Sequence, residues 1–374
     1  MLPLTVTQIC SSRSWGGMEI HVLRLSEQLQ RLGHRVTIWC AAGSDLDRAA
    51  KATSLCTWAF EPAGYFDPLC WYRVVKELRN NPTQILHVHY GKDLWVLVPA
   101  NQMTKKLPIL LSKHIGTQKP KRDPLHRYLY HRVRYLIAIS RVIAQNLLET
   151  HPVRAEQVVV LHHGVDAAQF QDPGDWRERV RQEWGVDPAE VLIGTIGRLQ
   201  VGKGHLEFLE MARQISNEFP QTRFVIVGEP TRGEEALSRP IYDKIEELQL
   251  QDRVLLPGFR QDIPAVLAAL DLFAFPSRAE AFGLVLIEAM ASGKAIVSTR
   301  CDGVLDIVEH KVNGLLFSPT DMDEFAAAVR ILLQRPDYRN QLAAAGHRTV
   351  MERFSQKGFL VKLTDLYEKC FLPQ

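Results

Sequence analysis

The sequence predicts an α/β protein made of two doubly wound, Rossmann-like parallel-sheet halves in tandem, facing each other across a cleft. Three observations predict it. Short apolar, β-branched runs alternate with segments of helical period, the pattern of parallel strands joined by crossover helices. The alternation halts once, at the polar, turn-prone Gln171-Asp172-Pro173-Gly174-Asp175, and then restarts. The length of 374 residues suits two domains at roughly 100–200 residues each.

In the first half, strands are expected at Leu4–Ile9, Val36–Cys40, Gln84–Val88, Pro108–Ser112, Tyr135–Ile139 and Val158–Leu161. Helices are expected at Met18–Leu32, stopped by Gly33, at Leu69–Arg79, at Pro124–Arg134, and on the way to His151. In the second half the expected strands are Val191–Ile196, Phe224–Val227, Val254–Leu255, Leu272–Ala274, Ala295–Ser298 and Gly314–Phe317. Its helices are His205–Phe219, Pro240–Leu248, Ile263–Ala269, Leu284–Ala291, Val304–Glu309, Met322–Leu333, Tyr338–Phe354 and Lys357–Phe371. The expected domains are therefore 1–170 and 175–354. In such sheets ligands sit at the carboxyl ends of the strands, so the residues just after strands are the candidate site.

Apolar residues make up 46% and charged residues 23%, enough for two full cores. No apolar run approaches the roughly 20 residues of a membrane-spanning helix. The start, Leu2-Pro3-Leu4-Thr5-Val6, has neither a basic region nor a cleavage site, so a secretory signal is not expected. The six cysteines form no CxxC pair, and reduced thiols in the cytoplasm are the expectation. Net charge is +3, unevenly spread: residues 1–170 have an excess of nine cations and the remainder an excess of six anions. Two bodies with different partners follow from that split.

The strongest local signal runs from Pro276 to Met290. Glu280 lies on a loop after a strand, Gly283 allows close backbone approach, and a helix opens at Leu284 with free amides suited to a diphosphate. Glu288 follows on that helix, and two carboxylates flanking an anion site can hold sugar hydroxyls. A cap-region acid and a solvated face explain the same pair. The second signal, Gly197-Arg198-Leu199-Gln200-Val201-Gly202-Lys203-Gly204, offers a guanidinium fork and an ammonium to two phosphates. It falls short of the nucleotide P-loop because Gly204 stands where a magnesium-binding hydroxyl is needed. A plain turn with solvated charges also fits. The third signal, Ser14-Trp15-Gly16-Gly17, lets backbone approach phosphate or sugar, and a plain turn fits it too. His114 follows a strand and is a candidate to hold a transferred sugar, although most single histidines do no chemistry.

His87 and His89 share a strand face, but no third metal ligand has an evident spacing. Asp45-Leu46-Asp47 and Asp321-Met322-Asp323 stand where helices start, so capping explains them better than metal binding. The stretch from Lys113 to Arg141 is basic and aromatic, a candidate for an anionic membrane surface, a phosphorylated acceptor, nucleic acid, or plain solvation.

Together these strings resemble the retaining glycosyltransferases of family 4, with the GT-B fold, over nearly the whole chain. The likeness rests on Gly16-Gly17, Leu86-His87-Val88-His89, Ala138-Ile139-Ser140, Gly164-Val165-Asp166 with Phe170, Gly197-Arg198 with Lys203-Gly204, Glu280 to Glu288 followed by Ala289-Met290-Ala291-Ser292-Gly293, and Asn313-Gly314-Leu315-Leu316. It implies that Gly16 and Gly17 approach donor phosphate and sugar, and that His114 contacts the sugar. It implies that Arg198 and Lys203 bind the diphosphate, that Glu280 and the amides of Phe282, Gly283 and Leu284 hold sugar and phosphate, and that Glu288 holds the ribose. The last helix, about 355–374, is expected to pack back on the first domain. The likeness also implies retention of configuration; the activity expected is a metal-independent hexosyltransferase needing no cofactor beyond its nucleotide diphosphate sugar, with UDP favoured over GDP or ADP as the carrier.

The acceptor expected is a glycan or lipid-linked molecule of cell-envelope polysaccharide or lipopolysaccharide synthesis, reached from the cytoplasm or the inner face of a membrane, with no nucleic acid partner. Two departures stand out: His163 where asparagine is usual, and Asp302 where glycine is usual before Gly303. The alternatives are a nucleotide-sugar epimerase on the same scaffold and a non-catalytic nucleotide-sugar-binding protein.

Overall fold

In the computed structural model, residues 3–200, 202–230 and 235–372 are described; Val201, part of the phosphate-loop string, and the last two residues of the expected terminal helix lie outside them. The chain divides into two units, one of residues 1–162 with 360–374, the other of residues 163–359.

The first unit runs β1 (Thr5–Cys10), α1 (Gly17–Arg31), β2 (Arg35–Cys40), α2 (Asp45–Ala52), β3 (Cys56–Ala59), α3 (Pro68–Asn80), β4 (Ile85–Val88), α4 (Leu94–Gln102), β5 (Ile109–Lys113), α5 (Pro124–Tyr130), β6 (Tyr135–Ala138), α6 (Arg141–Thr150) and β7 (Val158–Val160). Its sheet has the order β3-β2-β1-β4-β5-β6-β7, with every pair parallel. The central strands β1 and β4 are buried, Gln8 and His87 included. The second unit runs α7 (Trp176–Glu183), β8 (Val191–Ile196), α8 (His205–Glu218), β9 (Thr222–Val227), α9 (Arg239–Glu247), β10 (Val254–Gly258), α10 (Ile263–Ala269), β11 (Leu272–Phe275), α11 (Leu284–Ala291), β12 (Ala295–Thr299), β13 (Leu315–Phe317), α12 (Met322–Gln334) and α13 (Pro336–Arg353). Its sheet order is β10-β9-β8-β11-β12-β13, again parallel throughout. The order steps from β1 to β4 in one sheet and from β8 to β11 in the other. These are the switch points where doubly wound sheets bind ligands. The predicted tandem Rossmann-like fold is what the chain adopts.

The last helix, α14 (Gln356–Lys369), begins in the second unit and continues as part of the first. The division between units falls at 162/163, earlier than the expected linker at 171–175. The reason is local pairing: Val165 N–H donates to Phe354 O at 2.8 Å, and Gln356 N–H donates to Val165 O at 3.0 Å.

Some elements differ from expectation. The α5 helix stops at Tyr130 rather than Arg134, because Arg134 N–H already donates to Ile109 O at 2.7 Å and opens β6. The expected helix Val304–Glu309 is a short 3-10 turn, Asp302–Asp306. There the Asn313 side chain binds Ile307 O at 3.0 Å and Glu309 N at 2.7 Å, drawing the backbone out of helical pairing.

Candidate active site

In the second unit the site begins after β8. Leu199 N–H donates to Glu229 O at 3.0 Å, and the His205 Nε2–H donates to Arg198 O at 2.8 Å. These bonds fix the backbone of Arg198, whose side chain is exposed. The loop then turns at Gly204 (φ +80°), where an added Cβ would lie 2.0 Å from Pro276 O. No other residue fits that contact, so glycine brings the loop after β8 directly onto the loop after β11.

That second loop is held from beneath. The Thr299 hydroxyl and, at 3.3 Å, the Cys301 thiol donate to Ser277 O. Glu280 N–H donates to Asp302 Oδ2 at 3.3 Å, and Gly303 N–H donates to Glu280 O at 2.9 Å. Asp302, one of the two departures from the family pattern, thus carries out a bond glycine cannot make, while its backbone sits at a φ of +36°.

The two loops meet in an ion pair: Lys203 Nζ donates to Glu280 Oε2 at 2.8 Å, with the side chains 24% and 17% exposed. Sequence reasoning gave these residues separate ligands. The pairing leaves two ammonium protons and the second carboxylate oxygen for a bound molecule.

Next to Glu280, Gly283 (φ +94°) caps α11, whose first amides lack partners within the helix. Leu284 and Glu288, both partly buried, stand one turn apart on one face. The Phe282 ring is a core group, packed edge-on against His163 at 5.7 Å and Phe354 at 5.9 Å between centroids. Only its backbone is available to a ligand. The arrangement combines two cations, a carboxylate and a helix N-terminus at the carboxyl ends of the central strands β8 and β11, which is chemistry suited to a diphosphate and an attached polyol.

In the first unit, Gly16 is the extended N-cap of α1, and a Cβ on Gly17 would meet nothing within 4 Å. The loop leading to them is anchored by a residue that sequence reasoning missed. Asp93, fully buried, accepts from Ser11 N–H at 3.0 Å and from the Ser11 hydroxyl. Burial pushes its carboxyl up to about 7, against the opposing pull of the two Ser11 bonds.

His114 follows β5, its Nε2 3.2 Å from His89 Nδ1 and its ring 5.4 Å from that of His21. Beside it, burial and then Lys121 lower the Lys113 ammonium to about 8, and Lys121 is itself lowered by burial and by Lys92. These three amines load the first unit with positive charge near the end of β5.

The ring nitrogens considered for a metal are engaged elsewhere. His87 meets Tyr367 at 2.7 Å and Ser112 at 2.8 Å, while His89 meets His114 at 3.2 Å and Gln8 at 2.7 Å. Among the described residues no group of three or more His, Cys, Asp or Glu is placed to hold a metal ion. Asp47 accepts from Gly43 N–H and Lys51 at the start of α2, and Asp321 caps α12 through Glu324 N–H, so both acidic pairs serve helix ends.

Residues 15–169 match the family model described as Glycosyltransferase Family 4, and residues 177–349 match the one described as Glycosyl transferases group 1. The chain belongs to glycosyltransferase family 4. Among relatives of this family-4 glycosyltransferase is the D-inositol 3-phosphate glycosyltransferase of Mycobacterium sp. (strain KMS), 28% identical over 363 residues, covering 89% of this chain and 81% of that one. Among solved structures, Anabaena Alr3699/HepE in complex with UDP superposes with a TM-score of 0.87 at 22% identity, over 98% of this chain and 100% of that one. A glycosyltransferase from Rickettsia africae gives a TM-score of 0.89 at 20% identity over the full length of both chains. Among the described residues of the present enzyme, no helix is long and apolar enough to cross a membrane.

Proposed function

We propose that this glycosyltransferase moves a hexose-type sugar from a nucleotide diphosphate donor, with UDP favoured, to a glycan or lipid-linked acceptor of cell-envelope polysaccharide or lipopolysaccharide synthesis. Configuration is retained and no metal ion is required. The observation that carries the reading is the junction of the loops after β8 and β11. There Lys203 and Glu280 pair at 2.8 Å beside the opening amides of α11. The Anabaena neighbour, solved with UDP and with UDP-glucose, supports the choice of donor.

In this reading the second unit binds the donor. Arg198 and Lys203 neutralise the diphosphate, the amides of Phe282, Gly283 and Leu284 receive its oxygens, Glu280 holds sugar hydroxyls and Glu288 the ribose. The acceptor hydroxyl attacks the anomeric carbon from the face the nucleotide leaves. The carbon–phosphate-oxygen bond breaks as the new glycosidic bond forms, and the hydroxyl proton passes to the departing phosphate oxygen. Charge grows on that oxygen in the transition state, so fixed cations lower the barrier more than they tighten the ground state. Gly16 and Gly17 are assigned to donor phosphate and sugar, and His114 to the transferred sugar.

The amines of Lys92, Lys113 and Lys121 suit an acceptor that carries phosphate. The inositol phosphate named in the mycobacterial relative is of that kind. Exposed Phe66, Leu69 and Tyr72 at the start of α3, in the same basic unit, suit peripheral contact with an anionic membrane surface from the cytoplasm.

A thermal-shift panel of nucleotide sugars in the presence of a chelator tests the reading, since a ligand bound only by the native state raises its stability. UDP-sugars should raise the melting temperature. A response that appears only on adding divalent metal, or none to any nucleotide sugar, would overturn it. Release of nucleotide only when acceptor is present separates transfer from epimerisation.

A further inference from the structure

His114 belongs to a continuous chain of polar groups inside the first unit, most of them buried. Gln8 on β1, His87 on β4, Ser112 on β5 and Tyr367 on α14 are all buried, as is His89 just after β4. Gln8 pairs with His87 and His87 with Leu110 in parallel register, and His89, Ser112 and His114 follow in two-residue steps, so all five chemistry-bearing positions share one face of the sheet. Their donors and acceptors can be assigned in order. Gln8 Nε2 donates to Tyr367 Oη at 3.3 Å. The tyrosine proton is buried and needs an acceptor, which is His87 Nδ1 at 2.7 Å. His87 therefore carries its own proton on Nε2 and donates to Ser112 Oγ at 2.8 Å. Burial lowers His87 to about 3, which keeps it neutral and able to accept.

In the other direction, Gln8 has spent its amide nitrogen on the tyrosine and presents Oε1 to His89 Nε2 at 2.7 Å. With a single ring proton, His89 holds it there, which makes Nδ1 the acceptor. That acceptor faces His114 Nε2 at 3.2 Å.

We infer that Gln8 and His89 are positioning residues that fix His114 as its Nε2–H tautomer, with Tyr367 of the terminal helix anchoring the chain of bonds. In that tautomer Nδ1 is the one ring nitrogen of His114 that can accept a hydrogen bond, and the role assigned to it is toward a sugar hydroxyl. The inference rests on the proposal that His114 contacts the transferred sugar. Reversing the Gln8 amide would reverse every bond in the chain and move the His114 proton to Nδ1, so the two states are distinguishable.

The direct test is long-range 15N–1H NMR of histidine-labelled enzyme, with the His114 resonances assigned by their loss in His114→Ala. The expected result is an Nε2–H His114 in the wild type. In Gln8→Leu the preference should collapse and kcat should fall about 10–100-fold with donor KM nearly unchanged, the scale of losing an orienting partner. In a His114→Ala background, Gln8→Leu should cost less than about twofold, because the two act as one unit. An Nδ1–H His114 in the wild type, or losses that simply multiply in the double variant, would overturn the inference. The wild-type spectrum decides even if Gln8→Leu does not fold. Full activity of His114→Ala alone would instead defeat the sugar-contact reading and leave the tautomer result to stand by itself.

Discussion

Lys203 donates to Glu280 at 2.8 Å, joining two loops that are 77 residues apart in sequence. The pair is partly solvated, so it contributes little to stability, about 1 kcal/mol or less. In the proposed function its weight falls on binding and catalysis. Lys203→Ala and Glu280→Ala should each melt within a few degrees of the wild type and lose about 10²–10³-fold in kcat, as expected when one electrostatic contact to a transition state is removed. Parallel thermal melts and turnover assays check this, and near-wild-type turnover by either variant would defeat the assignment.

Gly204 makes the opposite case. Its Cβ position lies 2.0 Å from Pro276 O at a φ of +80°, so any side chain must push the two loops apart. Gly204→Ala should destabilise the protein by about 3 kcal/mol, measurable by chemical denaturation, and reduce donor affinity as well. A neutral result would mean that the loops move apart freely.

Asp93 links folding to pH. Its carboxyl is held up to about 7 by burial, whereas the unfolded chain releases that proton near the ordinary value of 3.8. Between those values the folded state binds more protons, so its stability is fully present below pH 4 and is lost as pH rises through 7. The slope from this group is up to about 1.4 kcal/mol per pH unit. Asp93→Asn should flatten it, and urea titrations at pH 5, 6 and 7 compare the two proteins. Identical slopes would remove Asp93 from the argument.

Lys113 gives a functional pH signature. With its ammonium lowered to about 8, the charge is present at pH 7 and mostly gone at pH 9. Affinity for inorganic phosphate, used as a probe of the acceptor side, should fall about tenfold across that interval if the protonated amine is required. Lys113→Arg, which keeps its charge, should bind phosphate with little pH dependence.

The fold was legible wherever a strand or helix showed its own period. The four elements that escaped show why others were not. The β3 strand is four residues long, Cys56–Ala59, too short for alternation to register. The α4 helix is apolar on nearly every side and carries Pro99 inside it, so it lacks both an amphipathic face and an unbroken helical signature. The α2 helix was visible only as a capped start at Asp45. The α7 helix, Trp176–Glu183, buries only Val180 and Arg181, leaving no apolar stripe to read.

At the site, the spacing of Gly283 and Glu288 on one helix could be read directly. The Lys203–Glu280 pair could not, because it depends on which two loops the sheet order brings together. Nor could Gln8 and Asp93: a polar residue within an apolar strand, or an acid at a helix start, signals only that some partner exists. Histidines 87 and 89 shared a face, as their spacing required, but their partners came from β1, β5 and α14. No local pattern announces such partners.

The most direct measurement is calorimetric titration of UDP into wild type and Lys203→Ala, both in chelator. The account expects the wild type to bind without metal and the variant to bind about 10–100-fold more weakly, the cost of one charge-assisted phosphate contact. Equal affinities for the two proteins, or wild-type binding abolished by the chelator, would contradict it.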